Sequence, residues 1–146
     1  MKTSLPDVNV LLALLWPAHE GHAVAQSWFQ RSGAKSWATN ALTQLGLLRL
    51  LTNSVVTHGS VDASAAVDTL REATEHDGHE FWALTGEVAP TLHSIVPGIY
   101  GYRQWTDAFL LNSAAARGGV LVTFDAGIKE LTTHESAGNL LVLKEH

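Results

Sequence analysis

The sequence predicts an α/β protein, a sandwich of helices around a mainly parallel central sheet. Three observations carry this. Short strand candidates alternate with helical stretches along the 146-residue chain, and such alternation marks βα units. VLVTF, at 120–124, is almost wholly apolar, as a buried strand is. Aspartates directly follow strand candidates, at the carboxyl edge where parallel sheets place their sites.

Each element has its local reason. KTSLP, at 2–6, is the first strand. Asp7 caps a helix through VNVLLALL, in which Val10, Leu11, Leu14 and Leu15 share a face. HEGHAVAQSWFQRS is an amphipathic helix turning Ala25, Trp28 and Phe29 inward, and Gly33 ends it. KSWAT is a brief strand. NALTQLGLLRLLTN is a strongly apolar helix, with Leu42, Leu45, Leu48 and Leu51 expected inward.

A polar loop follows around Thr57, His58, Gly59 and Ser60. DASAAVDTLREATEHDG is helical between Asp62 as N-cap and Gly78 as terminator. HEFWAL is a short strand, and GEVAPTLHSIV is ambiguous. Pro97, Gly98 and Gly101 form a loop. QWTDAFLLNSAAARGG is a helix closed by Gly118 and Gly119. The strand VLVTF, the short helix AGIKEL and a final strand LLVL complete the chain. With no internal repeat and no low-complexity linker, residues 1–146 read as one domain.

Composition narrows the function. Nearly half the residues are apolar, enough for a core without staples. The absence of cysteine excludes a disulfide framework and zinc–thiolate sites and fits a cytoplasmic location. The net charge of −5 argues against bulk electrostatic coating of nucleic acid and against an anionic membrane as partner. Nucleic acid would be met at a local site, with a cation offsetting the protein's own carboxylates. Asp7 and Asn9 interrupt the faint resemblance of the N-terminus to a signal peptide. No apolar run approaches the ~20 residues that span a bilayer.

Three aspartates stand out. Asp7 follows the first strand, Asp125 follows VLVTF, and Asp107 lies in the first turn of the helix QWTDAFLLNSAAA. Singly, each has the bland explanation of capping or complementing a helix N-terminus. As a set they differ, because a parallel sheet can bring all three to one crevice. Converging carboxylates repel one another, and a divalent ion removes that penalty. Oxygen-only ligands point to a hard ion, Mg²⁺ or Mn²⁺.

DVNVLLALL, LTQLGLLRLLTN, TDAFLLNSAA and VTFD together resemble a PIN domain, and within it the VapC-type toxins of bacterial toxin–antitoxin pairs. The resemblance runs from Asp7 to Leu143, and TDAFL followed by VTFDAG is its most specific part. It implies a three-layer α/β/α sandwich and an endoribonuclease dependent on Mg²⁺ or Mn²⁺. It also implies an RNA substrate, a homodimer and silencing by a cognate antitoxin. Carried over, Asp7 and Asp107 match metal-ligand positions, and Asp125 matches a further acidic position of the catalytic site. The departure is Gln44, where many PIN domains place a glutamate. A branch of the VapC-like toxins carries glutamine there. An amide can hold a metal-bound water but supplies no charge; the alternative is a helix glutamine on a solvated face.

Other residues have two readings each. Asn9 fits a D-x-N pattern that orients Asp7, or simply bonds at the helix start. His19 and His22 are neighbours on a helix face without further zinc ligands. The five tryptophans read mainly as core, with base stacking the lesser reading for Trp105. Arg49 and Arg103 can steer a phosphate or sit at the surface. Two rival functions fit less well. A PIN scaffold acting only by partner binding does not need intact Asp7, Asp107 and Asp125. A phospho-receiver pairs two acids on one early loop, whereas Asp7 has no acidic neighbour. The first strand also lacks the G-x-G-x-x-G loop of a dinucleotide-binding fold.

Overall fold

In the computed structural model, which describes residues 2–144, the sheet has five strands among those residues. They are β1 (Ser4–Pro6), β2 (Trp37–Thr39), β3 (His79–Phe81), β4 (Val120–Thr123) and β5 (Leu140–Val142). All pair in parallel, in the order β3-β2-β1-β4-β5. Sequence order therefore reverses at β1, and the crevice between the carboxyl ends of β1 and β4 is the topological switch point of the sheet.

The helices are α1 (Val8–Leu15), α2 (His22–Arg31), α3 (Ala41–Leu51), α4 (Ser54–Thr57), α5 (Ala63–Thr74), α6 (Val88–Leu92) and α7 (Gln104–Ala116). Alternate residues of each strand face opposite layers. Leu5, Ala38 and Leu121 pack with Ala108, Phe109, Leu111 and Ile128 on the α6–α7 side. Trp37 packs with Leu11, Leu12, Leu47 and Leu51, and Val122 with Val10 and Trp28, on the other side. The result is the expected three-layer α/β/α sandwich, with a sheet that is wholly parallel.

Several local expectations change. On α3 the inward residues are Thr43, Leu47 and Leu51, while Leu42 and Leu45 are exposed. The helix is apolar nearly all round, so periodicity alone could not choose its face. Contact with α1 chooses it, because Gly46 lies so close to Val8 that a Cβ there would clash with that side chain. Gly33 and Gly78 do not terminate helices; α2 ends at Arg31 and α5 at Thr74. Gly33 makes room for the Trp28 ring, and Gly78 for the backbone of Ala34. The ambiguous GEVAPTLHSIV forms α6 and a 3-10 segment, His93–Gly98. AGIKEL is a 3-10 rather than an α-helix, Ala126–Leu131. Gly118 does close α7, at φ +66°.

Candidate active site

Asp7 is held at the switch point by both strands that form it. Its backbone N–H donates to Val122 O at 2.9 Å. Its side chain caps α1, with Oδ1 accepting from the Val10 N–H at 2.9 Å. The second oxygen, Oδ2, accepts from the Thr123 hydroxyl at 2.6 Å. Thr123 is fully buried at the end of β4 and in turn accepts from the Asp125 N–H at 3.0 Å. One hydroxyl thus ties Asp7 to the segment carrying Asp125.

Asp125 is exposed and begins the 3-10 turn, its Oδ1 accepting from Gly127 N–H at 2.8 Å. Asp107 lies in the first turn of α7 and is half-buried. Its side chain forms no hydrogen bond among the described residues.

The charge of Asp125 reaches Asp7, and the charges of Asp7 and Asp125 both reach Asp107. Burial raises the Asp7 carboxyl above its ordinary value, and the Asp125 charge adds to the rise. The Thr123 hydroxyl and the N–H groups of Val10 and Asn9 oppose it. Asp107 is pushed up to about 6, first by burial and then by the charges of Asp7 and Asp125. Among the described residues the single salt bridge is Arg71–Asp68, at the surface, so none of the three aspartates is paired with a protein cation. Nor do three acidic or histidine side chains form a ready-made cage there. Asp7 turns one oxygen to the Val10 N–H and the other to the Thr123 hydroxyl, and Asp125 turns Oδ1 to the Gly127 N–H. Free lone pairs and uncompensated negative charge nevertheless suit a hard divalent cation.

Gln44 is half-buried, not on a solvated face. It occupies the same place on α3, the fourth residue, as Asp107 on α7. Its Nε2 donates to Thr39 Oγ1 at 2.9 Å, and Thr39 Oγ1 lies 2.7 Å from His79 Nε2. Asn9 contributes its backbone N–H to Asp7, while its side chain points outward as an exposed group. His19 and His22 are engaged locally: His19 Nδ1 accepts from Gly21 N–H, and His22 Nδ1 lies 2.8 Å from Ala13 O. Trp28, Trp37 and Trp82 are core, whereas Trp105 is exposed. The residue that sequence reasoning missed is Thr123. Its signal was present, a threonine two before the aspartate in VTFD.

A family model described as the PIN domain matches residues 4–133. The chain belongs to the PIN-domain family. This PIN domain is 38% identical over 141 residues to Ribonuclease VapC39 of Mycobacterium tuberculosis, covering 97% of this chain and 99% of that protein. It is 42% identical over 125 residues to Ribonuclease VapC38 of the same organism, covering 86% of each. Among solved structures it is similar to VapBC2 from Rickettsia felis bound to a DNA fragment from their promoter. There the TM-score is 0.65 at 10% identity, over 97% of this chain and 99% of the other, a likeness of fold. No helix among the described residues is long and apolar enough to cross a membrane.

Proposed function

We propose that this PIN domain is an endoribonuclease dependent on Mg²⁺ or Mn²⁺, the toxin of a type II toxin–antitoxin pair. The observation that carries the reading is the Asp7 carboxylate, buried at the β1–β4 switch point and held by Val10 N–H and Thr123, with Asp125 tied to the same threonine, Asp107 within reach of both charges, and no protein cation beside them. Similarity to proteins named as VapC ribonucleases supports the reaction class.

Asp7 and Asp107 would hold the ion, with Asp125 as the further acidic residue of the catalytic site. A bound divalent ion supplies an acidified, oriented water and neutralises the scissile phosphate. The chain's own contribution is positional. Thr123 and the α1 N-terminus fix the Asp7 carboxylate, and the first turn of α7 carries Asp107. None of the aspartates need form a covalent intermediate.

As the toxin of such a pair, the protein would act in the cytoplasm on RNA and be silenced by a cognate antitoxin. Leu42 and Leu45, exposed on α3, give it apolar surface for a protein contact, and we place the homodimer in this proposal. The test is cleavage of RNA by purified protein with and without EDTA. Cleavage should vanish in EDTA and return with Mg²⁺ or Mn²⁺. Metal-independent cleavage that survives in Asp107→Asn would overturn the reading.

A further inference from the structure

A second feature stands one helical turn before Asp107. Tyr102 is 78% exposed and Tyr100 82% exposed, both on the segment entering α7. The Arg103 guanidinium lies over the Tyr102 ring, 5.6 Å from its centroid, and its Nε donates to Tyr102 Oη at 3.1 Å. Arg103 is itself exposed and, as the N-cap with helical dihedrals, continues α7 backwards by one residue, to four positions before Asp107. Residues four apart lie on one helix face. Arg103 therefore stands on the Asp107 face, about 6 Å further along the axis. The segment is pre-ordered, since Gln104 Oε1 accepts from the N–H groups of Tyr100 and Gly101 at 2.6 and 3.0 Å.

Core packing does not account for an exposed tyrosine and arginine held against each other. In a chain of net charge −5, next to three carboxylates, an anionic polymer needs a local cation and an uncharged platform. An arginine on an aromatic ring supplies both: charge for a phosphate, and a π face for an unpaired base.

We propose that Tyr102 and Arg103 form the subsite for the nucleotide flanking the scissile phosphate, with the base stacked on Tyr102 and the phosphate on Arg103. The occupant is single-stranded RNA, because a base within a duplex presents no free face to a side chain. The proposal rests on the reading of this protein as an RNA-cleaving enzyme.

The test uses fluorescein-labelled 12-nucleotide RNAs of mixed sequence, single-stranded, duplexed, or made of abasic ribose phosphate. Binding is followed by anisotropy at several salt concentrations, and cleavage is followed separately. Tyr102→Ala should weaken single-strand binding about five- to thirty-fold and leave abasic binding nearly unchanged. Tyr102→Phe, which keeps the ring, should restore most of the affinity. Arg103→Ala should weaken both RNAs and lower the salt slope by about one phosphate contact. Equal affinity of all variants for the single strand overturns the proposal. So does a wild-type protein that binds no single-stranded RNA, or loss of self-association in Tyr102→Ala with RNA affinity intact. Cleavage unaltered in every variant removes this subsite and leaves the nuclease reading standing. Ring-dependent binding without any cleavage removes the nuclease reading instead.

Discussion

Thr123 donates its hydroxyl hydrogen to Asp7 at 2.6 Å, across 116 positions of sequence. Both residues are buried, and the bond joins the ends of the two strands that form the switch point. It holds a carboxylate in a place where burial disfavours its charge.

Thr123→Val tests that bond with a side chain of similar shape. It removes the donor to Asp7 and the acceptor for Asp125 N–H together. A buried hydrogen bond to a charged group contributes about 1.5–3 kcal/mol, so the melting temperature should fall. Cleavage should fall about tenfold or more, while Thr123→Ser retains most of both. A valine variant with wild-type melting and activity would remove Thr123 from the site.

Asp107→Asn separates catalysis from folding. The amide keeps the size of the carboxylate and removes a charge that its neighbours disfavour. RNA cleavage should be lost by about a hundredfold or more, with metal-free stability equal to or above wild type. Full cleavage activity in this variant would exclude Asp107 as a ligand.

The same charge sets a pH dependence. The Asp107 carboxyl is raised to about 6 from an ordinary 3.8, so between those values the folded chain binds more protons than the unfolded one. Metal-free stability should therefore fall as pH rises from 4 to 6 and stay low above. After allowance for solvent screening of a half-exposed group, the loss is about 1 kcal/mol, or roughly 2–4 °C. Mn²⁺ should raise the melting temperature more at pH 7.5 than at pH 5. An equal rise at both pH values would mean that the ion binds elsewhere.

The sandwich was legible because its signals are local and repeated. Asp7 has a strand before it and an apolar helix after it, so both its position and its capping role could be read directly. Asp125 directly follows the strand VLVTF and Asp107 lies in the first turn of a helix, so both could be expected near the same edge. Thr123 could not, since a threonine inside VLVTF is also an ordinary strand residue. The inward face of α3 was misread because leucines surround that helix, and the deciding contact, Gly46 against Val8, is tertiary. The partner of Gln44 was hidden too, because Thr39 ends β2 and the two side chains meet only through the way α3 leaves the strand at its cap, Asn40.

Gln44 carries the last prediction. Its amide donates to Thr39 Oγ1, and the same hydroxyl contacts His79 Nε2, whose protonation burial disfavours. Gln44→Glu replaces that donor with an acceptor, so the Thr39 hydroxyl must turn and donate to the new carboxylate. His79 must then present Nε2–H to Thr39, and the added negative charge favours its protonated form. The His79 titration, followed by NMR, should move to higher pH. A fourth carboxylate at the carboxyl edge should also tighten a divalent ion, since affinity in oxygen sites rises with ligand charge. Repulsion of the RNA phosphate opposes this, but a bound ion screens the phosphate while it lies against the carboxylate. Half-maximal cleavage should thus occur at lower Mn²⁺, with little change in maximal rate. Gln44→Ala should weaken metal use mildly and free the Thr39–His79 pair. If all three proteins share one Mn²⁺ curve while the His79 titration still moves, Gln44 organises the end of β2 and takes no part in holding the ion.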